Sequence, residues 1–403
     1  MKRQVSKNVL NAIYIAVLCS VSYLAVYFAR NILGVVTPNM LAEGFSEGYI
    51  GSVSSVYFIC YGVGQLINGA IGDKIKAKYM ISIGLFMAGI TNWLFSYFVE
   101  TSQNMALVAY GFTGFFLSMI YGPMTKIVSE NTDPMYTTRC CLGYTFASFV
   151  ATPLAGVTAA IMIWQSVFMT CTFFLTVMAV IFFIICIFFE KKGIIRYGKY
   201  KKQDEKGGSV KILIKHRIIK FTLISVITGV VRTTVVFWMP TYFTQYLGYA
   251  EETSVAIFSA TTLIISFTAF IAVFVYERLK RNMDLTILLM FIFATVFFVL
   301  LYFMKHPVLN IVFMVLAIMS SNGAAAMLYS RYCPSLRDTG KVSTATGFLD
   351  FMSYMAAAAS STIFANAVSS IGWGNLILVW CGLMVFGVIV SLPKKCFKFL
   401  KLS

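Results

Sequence analysis

The chain has 403 residues, 59% of them hydrophobic and only 12% charged, where a soluble domain carries about 25% charged residues. That excludes an ordinary soluble globular protein and predicts an all-α integral membrane protein. A net charge of +17 would point to nucleic acid in a soluble chain, but here the cations sit between apolar runs, so no nucleic-acid partner is expected.

A spanning helix needs about 20 apolar residues. Runs of that length lie at roughly 10–38, 49–71, 78–99, 104–128, 140–162 and 164–189. The first is too long for a signal-peptide core and further spans follow it, so it reads as an uncleaved helix. A polar break follows, and then six more runs at roughly 219–247, 252–276, 284–304, 308–330, 343–368 and 373–392. The expected architecture is twelve transmembrane helices in two six-helix bundles, 1–189 and 218–403. The basic stretch 190–217, with a Gly-Gly at 207–208, joins them as a cytoplasmic connector.

Placing the N-terminus in the cytoplasm and changing sides at each span puts 29 of the 32 lysines and arginines on the cytoplasmic side. This follows the positive-inside rule and predicts a multi-pass protein of the cell membrane with both termini cytoplasmic. Lys305 alone falls outside, and Arg30 and Arg232 lie within spans. The nine cysteines fall in spans or on the reducing side and form no C-x-x-C pair, so no disulfide is expected. With only His216 and His306, both near helix ends, no metal site, cofactor or catalytic constellation can be assembled, and an enzyme is not expected.

Arg30 and Arg232 are permanent charges at bilayer depth, each costing about 2.5–3.5 kcal/mol on insertion scales. They lie 202 positions apart, and each is followed eight residues later by a proline, Pro38 or Pro240. An internal repeat accompanies them. Asp73-Lys74 recurs 204 residues on as Glu277-Arg278, Gly143-Tyr144 as Gly347-Phe348, and Ile163-Trp164 resembles Gly372-Trp373. Two halves of six spans are therefore related in parallel, by an axis along the membrane normal. Asp73, Lys74, Glu277 and Arg278 are the expected cytoplasmic gating loops.

Helical spacing places Tyr23, Tyr27 and Arg30 on one face of the first helix, and Tyr61, Gln65 and Asn68 on one face of the second. Two guanidiniums edged by hydroxyls offer donors without an anion, and arginine forks match phosphate oxygens. A structural role for one such arginine, paired with a carboxylate or with carbonyls at a kink, remains open, as do packing roles for the tyrosines. Asp350, a carboxylate well inside a span, is read three ways: as charge balance for an arginine, as a proton carrier, or as a polar contact near the cytoplasmic mouth.

The stretches YLAVYFARNILGVVTPNMLAEGFSEGYIGSVSSVYFICYGVGQLINGAIGDK, GVVRTTVVFWMPTYF and STATGFLDFMSYM resemble the first two helices, helix 7 and helix 11 of the organophosphate:phosphate antiporter family of the major facilitator superfamily. The resemblance implies that superfamily's fold, with Arg30 and Arg232 as phosphate ligands and Tyr23, Tyr27, Tyr61 and Tyr354 around them. It also implies import of a sugar phosphate or glycerol phosphate in exchange for phosphate. Three positions depart from the family: Gln65 replaces a lysine, Val150 aligns with a histidine, and Asp350 stands where an uncharged residue is usual. A proton-coupled carboxylate transporter using Asp350 and a transport-like sensor of a phosphorylated ligand are the alternatives. The expected partners are a small anionic solute and the bilayer, and the expected state is a monomer.

Overall fold

The computed structural model describes residues 2–198 and 209–392. Positions 199–208 of the linker and the C-terminal Lys394, Lys395, Lys398 and Lys401 lie outside the described residues, as does the side chain of Pro38. The described chain is helical throughout. The first six helices are α1 (Lys2–Ala42), α2 (Glu47–Gly72), α3 (Ala77–Phe98), α4 (Gln103–Asn131), α5 (Pro134–Ile161) and α6 (Trp164–Lys191). After the short α7 (Ser209–Lys215) comes α8 (Ile218–Gly229), which continues through a π turn (Val230–Val235) into α9 (Val236–Gln245). Then follow α10 (Glu251–Ser266), α11 (Thr268–Arg278), α12 (Met283–Phe303) and α13 (Pro307–Met327). A second π turn (Leu328–Tyr332) and the short α14 (Cys333–Ser335) lead to α15 (Val342–Ser391). Gly372, at φ 74°, breaks α15 into two helices.

Lipid offers no partner to a bare N–H or C=O, so a chain this apolar satisfies its backbone as helix. Ten helices are long and apolar enough to cross a membrane among the described residues. The other two expected spans fall on α5 and on the part of α15 before Gly372, both helical. Polar residues mark the turns: the Ser46 hydroxyl accepts from the Tyr49 N–H at 3.2 Å, and the Asn282 side chain accepts from the Leu285 N–H at 3.1 Å. Large apolar side chains such as Phe173, Ile184 and Phe303 face outward, as they do in a protein solvated by acyl chains.

The chain divides into two compact units. Unit 1 comprises Met1–Leu213 with Cys333–Phe351, and unit 2 comprises Ile214–Tyr332 with Met352–Ser403. In unit 1, α1 packs on α5 and α6, and α4 packs on α2 and α3. With apolar lipid as the competing solvent, close approach and hydrogen bonds hold such helices together. A Cβ on Gly114 would lie 2.5 Å from the Tyr57 carbonyl oxygen, so α4 approaches α2 at backbone distance there. Asn68 donates to the Ser118 hydroxyl at 2.7 Å, and Asn92 donates to the Phe168 carbonyl at 3.0 Å.

The repeat is visible in one pair of contacts. At the start of α6 the Trp164 indole donates to Glu43 just beyond α1, at 2.7 Å. At Trp373 the indole donates to Gln245 at the end of α9, at 3.2 Å. The same clasp thus recurs in each unit, with a carboxylate in one and an amide in the other.

In unit 2 the fully buried Asn310 takes the Tyr242 hydroxyl at 2.7 Å. Its amide donates to the Leu301 and Met304 carbonyls at 3.2 and 3.0 Å, which are otherwise orphans of the α12 terminus. Asn310→Ala is expected to cost about 2 kcal/mol, because it strands three polar groups. Thermal unfolding of the purified protein in detergent should show it, and an unchanged midpoint would mean that water replaces the amide.

Candidate functional site

The two arginines have different surroundings. In unit 1 the Arg30 guanidinium lies 5.2 Å from the Tyr27 ring centroid, 5.4 Å from Phe58 and 5.2 Å from Tyr61. Three ring faces thus stabilise the cation by their quadrupoles. Tyr27 is one turn below Arg30 on α1, and Phe58 and Tyr61 come from adjacent turns of α2. Helical spacing identifies Tyr27 and Tyr61 as neighbours of Arg30. It passes over Phe58, because one phenylalanine in an apolar span carries no signal.

Tyr23 belongs to a second aromatic cluster. Its ring lies 4.9 Å from Tyr27, 5.4 Å from Tyr121 on α4 and 5.6 Å from Tyr144 on α5. Gln65 follows Tyr61 by one turn, 1% exposed. Asp350, 5% exposed, is within electrostatic reach of Tyr23 and of Cys333. Val150 is exposed on α5.

In unit 2, Arg232 sits inside the π turn Val230–Val235. Its guanidinium donates to the Ser353 hydroxyl at 3.3 Å and lies 6.0 Å from the ring centroids of both Tyr329 and Tyr354. Tyr329 is itself in the second π turn, and its hydroxyl meets that of Ser225 at 3.2 Å. Two π turns therefore meet at one cation. Such turns concentrate at functional positions, where an extra residue re-aims side chains. Tyr354 is named only through the family resemblance, and Ser353, Tyr329 and both π turns are not expected from the sequence at all.

The four residues expected to form gating loops separate into one buried and three exposed. Asp73, in the α2–α3 turn, is 7% exposed. Its carboxylate accepts from the Ser343 N–H at 2.9 Å and the Thr344 N–H at 2.8 Å, and from the Thr344 hydroxyl. An anion at the first turn of α15 satisfies orphan N–H groups and the helix dipole together. Burial pushes the Asp73 carboxyl up, while the bonds to Thr344 and Ser343 and the charge of Lys126 pull the other way. The Lys126 ammonium holds the turn by donating to the Gly72 and Asp73 carbonyls at 3.2 and 2.9 Å. Lys74, Glu277 and Arg278 are exposed, and the Arg278 guanidinium lies over the Phe274 ring at 5.2 Å.

The sequence profile of the Major Facilitator Superfamily matches residues 19–362. The chain belongs to this superfamily. The glycerol-3-phosphate transporter of Bacillus subtilis (strain 168) is 24% identical to it over 58% of each chain. A probable hexose phosphate transport protein of Chlamydia pneumoniae is 26% identical over 27% of this chain and 24% of its own length. The membrane sensor protein UhpC of Escherichia coli (strain K12) is 36% identical over 19% of this chain and 17% of its own length. The chain thus spans little more than half the length of the first of these relatives, and about a quarter or less of the others. Among solved structures, FucP in the outward conformation matches with TM-score 0.71 and 13% identity, covering 94% of this chain and 98% of that chain. The human organic anion transporter MFSD10 matches with TM-score 0.72 and 12% identity, covering 94% and 99%. At these identities the likeness shows the fold alone.

Proposed function

We propose that the protein is a secondary active transporter of a small phosphorylated organic anion, a sugar phosphate or glycerol phosphate, exchanged for inorganic phosphate by alternating access. One observation carries the reading: each sequence half places one half-buried arginine within an apolar run, Arg30 among aromatic faces and Arg232 beside a hydroxyl and two tyrosines. Relatives named as glycerol-3-phosphate and hexose phosphate transporters support it. In this mechanism both guanidiniums bind the phosphoryl group, with Tyr23, Tyr27, Tyr61, Gln65 and Tyr354 completing the site. The solute must bind the occluded state more tightly than either open state, otherwise it shifts no population. The bundles 1–189 and 218–403 are the moving bodies, and the Asp73 cap on α15 breaks and re-forms during the cycle. A monomer in the cell membrane with both termini in the cytoplasm completes the proposal.

Asp350 favours a second reading. A carboxylate 5% exposed inside a span suits a proton carrier, which would make the protein a proton-coupled organic-anion transporter. Proteoliposomes loaded with phosphate separate the two. Exchange predicts that uptake of glycerol 3-phosphate or glucose 6-phosphate needs internal phosphate and survives in Asp350→Asn. Uptake that ignores internal phosphate, follows a pH gradient and fails in Asp350→Asn would overturn exchange in favour of proton coupling.

A further inference from the structure

The chain leaving α6 stays folded against unit 1. Gly193, at φ 69°, turns it back, and the Ile194 and Ile195 N–H groups both donate to the Phe189 carbonyl, at 2.8 and 3.3 Å. Ile195 is 1% exposed, a degree of burial that a merely solvated connector would not reach. The Arg196 N–H donates to the Asn131 side chain at 2.7 Å. Asn131 is the last residue of α4, and its own amide is fixed by the Ile127 carbonyl at 3.0 Å. The Tyr197 ring lies 5.7 Å from the Lys76 ammonium. Lys76 is the N-cap residue of α3 and supplies no side-chain cap, and the Tyr197 ring packs beside that helix start. A Lys78–Glu190 ion pair closes the base of the arrangement between α3 and α6. At Gly198, φ 70° turns the chain again.

These contacts fall on the two arms that carry the α2–α3 turn. α3 begins four residues beyond Asp73, and Lys126, which grips the turn carbonyls, stands five residues before Asn131 on α4. We propose that Gly193–Gly198 is a strap that braces the α2–α3 turn and thereby holds Asp73 on the first turn of α15. The start of the interbundle connector is then a conformational control element: as the strap releases, the Asp73 cap loosens. The inference rests on the fold and not on the identity of the solute.

Hydrogen exchange read by mass spectrometry on the full-length protein in detergent tests it, because the Ser343 and Thr344 amides are the ones Asp73 covers. Tyr197→Ala is expected to speed exchange in peptides from 193–198 and, about tenfold, in peptides from 342–348. The α12–α13 turn at 304–307, in unit 2, should stay at its wild-type rate. Should that reference also accelerate, Asn131→Leu, which removes one bond of the strap and leaves its ring contact, gives the deciding measurement. Faster exchange at 193–198 with 342–348 unchanged would overturn the proposal, and so would no change at either place.

Discussion

Arg30→Lys and Arg232→Lys are each expected to lower uptake of phosphorylated solutes by about 10- to 100-fold in phosphate-loaded proteoliposomes, with little change in folding. Lysine keeps the charge, so attraction for an anion persists, but it loses the planar fork that places two N–H groups on two oxygens. One charge-assisted hydrogen bond is worth about 1.5–3 kcal/mol, and about 1.4 kcal/mol is a factor of ten. Arg30 should suffer additionally because its flat guanidinium spreads over Tyr27, Phe58 and Tyr61. Arg232 should suffer through loss of its Ser353 contact. Initial rates below saturation, together with melting midpoints of the same preparations, separate binding from folding. Full exchange of every phosphorylated solute by both variants would remove the arginines from the site.

Gly347→Val should disable the protein by a different route. A Cβ at Gly347 would lie 2.1 Å from the Gln65 carbonyl oxygen and 2.9 Å from the Gly69 Cα. Both are backbone atoms, which no rotamer change can move aside. α2 and the start of α15 would have to separate, and forced overpacking costs about 1–3 kcal/mol. The Asp73 bonds to Ser343 and Thr344, one turn away, should stretch with it. Faster exchange of those amides and at least a tenfold fall in transport are expected. Wild-type transport by this variant would show that the crossing need not be this close at any stage of the cycle.

Much of the membrane architecture is legible in the amino-acid sequence, because apolar length and loop charge act one span at a time. Arg30 and Arg232 stand out for the same reason, as charges within apolar runs. Tyr23 shows the limit. Spacing puts it on the face of Tyr27 and Arg30, but rings on α4 and α5, Tyr121 and Tyr144, determine where its own ring lies. Asp73 and Glu277 are equivalent in the repeat, yet one is buried as a cap and the other is exposed. That difference depends on Ser343 and Thr344, 270 and 271 residues from Asp73, and no local pattern reports it. The π turns also left no trace, since nothing in the residues of Val230–Val235 distinguishes a π turn from an α turn.

The π turn at Arg232 also alters how the two halves can be compared. An α-helix advances about 100° per residue, so one extra residue in a turn rotates everything after it by roughly that angle. α1 runs from Arg30 to Ala42 without such an insertion, whereas the chain passes through one between Arg232 and α9. Even so, Glu43 and Gln245, each thirteen residues beyond its arginine, accept the same tryptophan indole bond. The two halves therefore reach an equivalent clasp by different helical paths, one regular and one through a wider turn.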